Sequence, residues 1–189
     1  NTLVILISDN GGGVAAHANN SPLRLGKHTL FEGGVRVPFV MKWPGHISAG
    51  GTYEHPVSTL DVFPTAVAAA RSTKIQTKEL DGIDLIPILQ NGDNPPPHQA
   101  LFWRNGANWA VREGDWKLIY AAERYWLYDL SSDVGEKHNV ASAHPDIIER
   151  LTTHYKDWNK GNIEPLWPPL AVKGQPRFAV DGVNIKWAL

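Results

Sequence analysis

Residues 3–13 read LVILISDNGGG. Five apolar residues, several of them β-branched, run without alternation into an Asp, an Asn and three glycines. A continuous apolar run of this length suits a strand buried on both faces of a parallel sheet better than a strand with one wet face. Open α/β sheets place ligands at the carboxyl ends of such strands. One stretch therefore constrains both the architecture and the place to look for a site. A parallel strand also needs neighbours on both sides, and this one starts two residues into a chain that opens Asn1-Thr2, without Met. The expectation is a portion of a longer protein.

Along the chain, the signals divide at about residue 95. Residues 10–34 are rich in Gly and Asn and read as a long loop with one helical turn, the kind of loop that is usually either functional or disordered. Residues 37–42 (VPFVMK) read as a second strand. Ser58-Thr59-Leu60-Asp61 has capping-box character and opens a helix to about Arg71, with Pro64 tolerated in its first turn. Residues 85–89 form a short apolar turn or helix, and NGDNPPP at 91–97 stops it. Beyond this, ALFWR, WAVR and WKLIY alternate with turns, with Glu113-Gly114-Asp115 as a hairpin loop and WLYD at 126–129 as a further strand. Residues 145–160 form a helix, with Ile147, Ile148, Leu151, Tyr155 and Trp158 on one face and Pro145 at its first position. The proline-rich tail holds one strand, 183–187. The expected fold class is α/β: the end of a mostly parallel sheet over 1–95, then a small antiparallel sheet packed with one helix over 96–189.

Composition narrows the function. With a net charge of -1, no basic surface points to nucleic acid. No apolar run approaches the roughly 18–20 residues of a membrane span. The absence of cysteine excludes thiolate metal sites, disulfides and a cysteine nucleophile within this chain. Eight tryptophans either fill a core or line a sugar or aryl pocket.

Two site chemistries compete at residues 9–13. Gly11-x-Gly13-x-x-Ala16 matches a loose dinucleotide fingerprint. That motif needs a helix to start there and run on, whereas His17-Ala18-Asn19-Asn20-Ser21-Pro22 stops one at once. In the other reading, the Asp9 carboxylate and the Asn10 amide oxygen are adjacent hard donors for Ca²⁺ or Mg²⁺. A plain Asx turn explains the same residues, and two oxygens do not make a site.

The stretch NNSPLRLGKHTLFEGGVRVPFVMKWPG, 19–45, resembles a segment of the type I sulfatases (arylsulfatases) of the alkaline-phosphatase-like superfamily. The family pattern there runs close to P-L-R-G-G-K-G-T-x-[WYF]-E-G-G-x-R-V-P, with S-D-N-G-G before it and W-P-G after it. STLDVFPTAVAAA resembles the family's D-hydrophobic-x-P-T helix, and Leu80-Asp81-Gly82-Ile83-Asp84-Leu85 its L-D-G-x-[DS]-L signature. LFWR, AVREGDWKLI and LYDLSSDVGEKHNVA resemble its C-terminal sheet. The resemblance implies that Asp9 and Asn10 are two ligands of an active-site Ca²⁺ and that Lys27 reaches the sulfate oxygens. His28 and His17 become candidates for substrate contact, and Glu32 and Arg36 scaffold residues, in a buried ion pair or in loop-bracing hydrogen bonds.

Two departures stand out: Leu25 and His28 occupy positions where the pattern usually has Gly. A third gap is larger. The family's formylglycine nucleophile arises from Cys or Ser in C/S-x-P-x-R. Here the nearest match, Asn20-Ser21-Pro22-Leu23-Arg24, has Asn20 at the nucleophile position. The resemblance therefore implies that the nucleophile and the other metal ligands lie upstream. This chain would be the C-terminal portion of a sulfatase acting on aryl or carbohydrate sulfates, inactive without the missing N-terminal portion, and periplasmic, secreted or lysosomal. The alternatives are a phosphoester or phosphonate hydrolase of the same superfamily, and a non-catalytic module binding glycan or a partner through a Trp-rich sheet.

Overall fold

The computed structural model describes residues 1–14, 17–72, 80–91, 95–164 and 177–187, without the side chains of 91 and 177. Contacts divide the chain into two compact units, Asn1–Ile7 with Pro38–Gln99, and Ser8–Val37 with Ala100–Leu189. The loop at 8–37 thus groups with the second unit by contact.

In the first unit, β1 (Val4–Ile7) pairs with β2 (Phe39–Lys42), in register from Val4↔Lys42 to Ile7↔Phe39. The pair is antiparallel, and every strand pairing among the described residues is antiparallel. The chain is mixed α/β, but the parallel arrangement expected from the apolar run is not present among these residues. Nor is β1 buried on both faces. A two-stranded ribbon covers one face only, so Val4, Leu6 and Val40 are exposed while Ile5 and Ile7 are partly covered.

The expected helix begins as a 3-10 turn, Thr59–Asp61, and continues as α2 (Val62–Ala69). The capping box is present: Leu60 N donates to Ser58 Oγ at 3.2 Å, and Ser58 N donates to Asp61 Oδ2 at 2.7 Å. Asp61 is fully buried and does more than cap. Its Oδ1 also accepts from Ile83 N at 2.9 Å, and both its oxygens lie within 3.0 Å of His98 Nε2. Leu85 N donates to Thr65 Oγ1 at 3.0 Å. The two sequence signatures at 58–70 and 80–85 therefore interlock, with α3 (Ile86–Asn91) following directly. A buried carboxylate with several donors is stable where an unpartnered one would not be.

The second unit is built on a four-stranded meander, β3 (Leu101–Asn105), β4 (Asn108–Glu113), β5 (Trp116–Ala121) and β6 (Arg124–Asp129). Alternation sends Trp109, Val111, Leu118 and Leu127 to one face. There α4 (Pro145–Asn159) packs its Leu151 and Tyr155, with Ile147, Ile148 and Trp158 around them, as its period requires. The opposite face carries Ala110, Ile119, Ala121, Trp126 and Tyr128. It is covered by Leu30 and Phe31 of the long loop and by Val180, Ile185 and Trp187. Val180 and Ile185 belong to a hairpin, β7 (Arg177–Val180) and β8 (Val183–Lys186), and Trp187 follows it directly, where the sequence reading had a single strand, 183–187. The small sheet is therefore buried on both faces. The loop that bears the candidate site is fixed to it by Leu30 and Phe31.

Candidate active site

All five residues singled out for chemistry lie in the loop at 8–37. Ser8 and Asp9 follow directly on β1, and the chain then turns so that 9–13 runs beside 24–34. Gly11 N donates to Gly34 O (3.0 Å), Lys27 N to Gly12 O (3.1 Å) and Gly33 N to Arg24 O (2.9 Å). These contacts are backbone against backbone. A Cβ on Gly11 would fall 1.7 Å from Gly33 O, and one on Gly26 2.1 Å from Gly12 O. Only glycine allows the two segments this close, so the glycines of the motif set the distance between the strand end and the lysine loop.

Asp9 is exposed and Asn10 half-buried. Asn10 Nδ2 donates to Asp9 Oδ2 at 2.6 Å, and Ser8 Oγ donates to the Asn10 carbonyl at 2.9 Å. Lys27 is exposed and its backbone is tied to Gly12; His28 is half-buried beside it. His17 is exposed, in a turn where its N–H donates to Val14 O at 3.1 Å. The fold thus joins the segment of Asp9 and Asn10 to the segment of Lys27 and His28. His17 stands on the connecting turn.

The donor chemistry fits a hard divalent cation, a carboxylate next to an amide carbonyl. The donor number does not complete one, since Ca²⁺ takes about six to eight oxygens. Among the described residues no three His, Cys, Asp or Glu gather as a metal cage. The residues present are suited to be part of a cage.

What holds the loop is a buried charge cluster. α1 (Glu32–Val35) begins with Glu32, which is buried, as the sequence reading expected of a scaffold residue. Its partners are Lys117 of β5 at 2.8 Å and Arg112 of β4 at 3.2 Å, with Arg36 further off at 3.7 Å. Lys117 is also fully buried and lies 3.1 Å from Glu136 Oε1. Glu136 Oε2 accepts the Glu32 backbone N–H at 2.7 Å, and so caps the start of α1 from a distant loop. Burial pushes the Glu32 carboxyl up, but Lys117, with Arg112 and Arg36, more than offsets this and holds it below the ordinary value. Burial dominates at Glu136, helped by the charge on Glu32, and raises it despite Lys117. Arg24 braces the same region, donating to the Glu136 carbonyl, to Tyr128 Oη (3.2 Å) and to Asp181 (2.9 Å).

Lys117, Glu136 and Asn20 were not identified by sequence reasoning. Lys117 did carry a signal, as the one charged residue of an otherwise apolar and aromatic strand, WKLIY. Glu136 carried none, because its partners are remote, and Asn20 drew notice only as the residue at the nucleophile position of a near-match motif.

The departures at 25 and 28 have a geometric counterpart. Leu25 and His28 both adopt left-handed backbone, φ 58° and 74°, where glycine is the comfortable residue. The tryptophans do not form an exposed platform among the described residues. Trp43, Trp109, Trp126 and Trp187 are buried, and Trp103, Trp116 and Trp158 are half-buried; Trp167 lies outside the described residues. Trp109 instead stacks internally on Tyr155, with ring centroids 4.2 Å apart.

Comparison with known proteins gives a consistent set of likenesses. The protein-family model described as Sulfatase matches residues 1–72. A protein named Sulfatase from Formosa agariphila is 34% identical, over 87% of this chain and 34% of its own length. Human arylsulfatase A is 36% identical, over 79% of this chain and 36% of its own length. The crystal structure of Ps i-CgsB in complex with k-i-k-neocarrahexaose superposes with a TM-score of 0.79 at 33% identity, covering 89% of this chain and 38% of that one. The chain spans about a third of the length of these curated relatives.

Proposed function

We propose that this chain, which belongs to the sulfatase family, carries one part of an active site that hydrolyses sulfate esters. The observation that carries the reading is the backbone tie between Lys27 and Gly12, three residues beyond Asp9. It draws a cation-binding segment and a lysine-bearing segment together in a chain whose relatives are sulfatases. In this reading residues 1–95 complete the catalytic α/β domain, and a larger, mostly parallel sheet covers β1. Residues 96–189 form the small subdomain. The N-terminal portion of the same protein supplies the formylglycine nucleophile and the remaining metal ligands.

Each residue then has a task. Asp9 and Asn10 hold Ca²⁺, or Mg²⁺, through carboxylate and amide oxygens. When bound, such a cation would supply Lewis-acid stabilisation of the sulfate oxygens. The Lys27 ammonium stabilises the charge that builds on those oxygens as the ester S–O bond breaks, which is where a preorganised cation contributes most. His28 and His17 face the alcohol portion of the ester. The complex of Ps i-CgsB with k-i-k-neocarrahexaose, and relatives named N-acetylgalactosamine-6-sulfatase, support a sulfated carbohydrate as substrate class.

The test is turnover by the full-length protein with aryl sulfate, sulfated oligosaccharide and phosphate monoester. The expected result is sulfate release, cut by about 10²–10³ in Lys27→Ala, the usual cost of one transition-state donor, and abolished by chelation. The present chain alone is expected to release no sulfate. Preferential hydrolysis of the phosphate ester, or full activity in Lys27→Ala, would overturn the reading. Among the described residues four tryptophans are buried and three half-buried, which favours the catalytic reading over a glycan-binding module built on an exposed Trp platform.

A further inference from the structure

Asn20 lies outside both segments of the candidate site, yet its side chain is bonded to both. Its Oδ1 accepts from Gly12 N at 2.9 Å. Its Nδ2 donates to Gly12 O at 2.9 Å and to Leu25 O at 2.8 Å. A primary amide has two donors and a two-lone-pair acceptor, so this side chain uses both donors and one acceptor position, all on backbone. The fit is close on both sides. A Cβ built on Gly12 would lie 2.9 Å from Asn20 Oδ1, and one on Gly26 2.4 Å from Asn20 Nδ2. The Gly12 carbonyl receives a second donor, Lys27 N. Asn20 is therefore pinned between the strand-end segment, three residues after Asp9, and the lysine segment, two residues before Lys27.

We infer that Asn20 is a positioning residue, which fixes the distance between the metal ligands Asp9 and Asn10 and the sulfate-binding Lys27. This rests on the proposed sulfatase reading. Asp and Ser cannot replace it. Asp keeps the acceptor for Gly12 N but turns two donations into contacts between oxygens. Ser has the reach for neither segment and at most one donor. The same side chain stands where the family's nucleophile motif would need Cys or Ser, and Arg24 of the adjoining Pro-x-Arg is a brace, bonded to Tyr128, the Glu136 carbonyl and Asp181. Adjacent Asn19 offers a control in the same turn: it is exposed, and among the described residues its Oδ1 accepts the nearby Ser21 N–H, at 2.9 Å.

The experiment uses the full-length protein as wild type, Asn19→Ala, Asn20→Ala and Asn20→Asp. Two readouts are taken: amide hydrogen exchange at Gly12 and Lys27, and kcat and KM for an aryl sulfate. In Asn20→Ala exchange at both amides should rise by about tenfold or more. In Asn20→Asp, which keeps the acceptor for Gly12 N, the rise should fall on Lys27, whose acceptor Gly12 O then faces a carboxylate oxygen. The amides of β4 and β5 should be unchanged. Hydrolysis should fall by about tenfold to about a hundredfold, the scale of a sub-ångström to ångström misplacement. The loss should fall on kcat more than on KM, since charge stabilisation in the transition state is what is misaligned. Asn19→Ala should match wild type in both. Unchanged exchange at Gly12 and Lys27 in Asn20→Ala overturns the clamp, and raised exchange with undiminished kcat overturns its catalytic consequence. If Asn20→Ala does not fold, Asn20→Asp carries the same two readings, with exchange read at Lys27. A wild-type protein that releases no sulfate from any ester sinks the sulfatase reading instead, and the exchange data still decide whether Asn20 joins the two segments.

Discussion

Residues 25 and 28 set side-chain gain against backbone cost. Left-handed backbone costs an L-residue about 1–2 kcal/mol, and both Leu25 and His28 adopt it. Replacement by glycine relieves that cost, but a freer unfolded chain takes back about 0.4–1 kcal/mol. Leu25 also packs against the core around Phe31 and Tyr128. Full burial of a leucine is worth about 1.5–3 kcal/mol, but Leu25 is only partly buried, so packing and backbone nearly balance and Leu25→Gly should change stability by less than about 1 kcal/mol. His28 is half-buried, with a polar ring. His28→Gly should raise stability by up to about 1 kcal/mol in denaturant unfolding, and raise KM for a sulfate ester through loss of the ring. Lys117 is the opposite case. Lys117→Met removes the only ammonium between two buried carboxylates and should cost about 3–5 kcal/mol, as breaking buried pairs does. A loss below about 1 kcal/mol would show that the carboxylates find another cation.

At the scale of elements, the β5–β6 turn is the least expected. Ala122 and Glu123 span a two-residue connection between the paired Ala121 and Arg124, both at positive φ (47° and 59°). That is the signature of a type I′ turn, which favours Asn-Gly. The double replacement Ala122→Asn, Glu123→Gly should stabilise by about 1 kcal/mol, read as a raised denaturant midpoint with the slope unchanged. Nothing in an Ala-Glu pair announces such a turn, and the strand beyond it was legible only from Trp126 onward. Asp181-Gly182 is the same turn in its favoured chemistry, at φ 47° and 78°. The strand before it went unread because the proline-rich tail suggested no pairing. By contrast, α4 was legible residue by residue, since its apolar positions repeat at 3–4 and nothing interrupts them. The hairpin around Gly114 was legible because glycine and alternation agree. At the site, Asp9, Asn10 and Lys27 were legible as a motif. Their supports were not: Lys117 and Glu136 are 85 and 104 residues from Glu32 in sequence, and local pattern carries no trace of such pairings. The run at 3–7 misled for a related reason, since its lack of alternation reports how much apolar surface there is, not which chain covers it.

For the molecule as a whole, the buried cluster ties the stability of the second unit to pH with two opposing signs. Glu32 is held below the ordinary glutamate value of about 4.5 in the folded state. Its contribution is complete above that value and is lost as pH falls toward the folded one. Glu136 is raised above about 4.5. A raised carboxyl binds its proton more tightly folded than unfolded, so its contribution is complete below about 4.5 and is lost as pH rises through the folded value. Between the two limbs the pair is most favourable in mildly acid solution, where Glu136 is protonated and Glu32, paired with Lys117 and Arg112, is not. Stability measured by urea unfolding should therefore rise as pH is lowered from 7 toward about 4.5, and fall below that. Other carboxylates titrate in the same range, so the difference between proteins is the sharper reading. Glu136→Gln should remove the rise and leave the fall, while Glu32→Gln should do the reverse. If both variants follow the wild-type profile in parallel, Lys117 and Arg112 neutralise the two glutamates independently, and the cluster is a static brace.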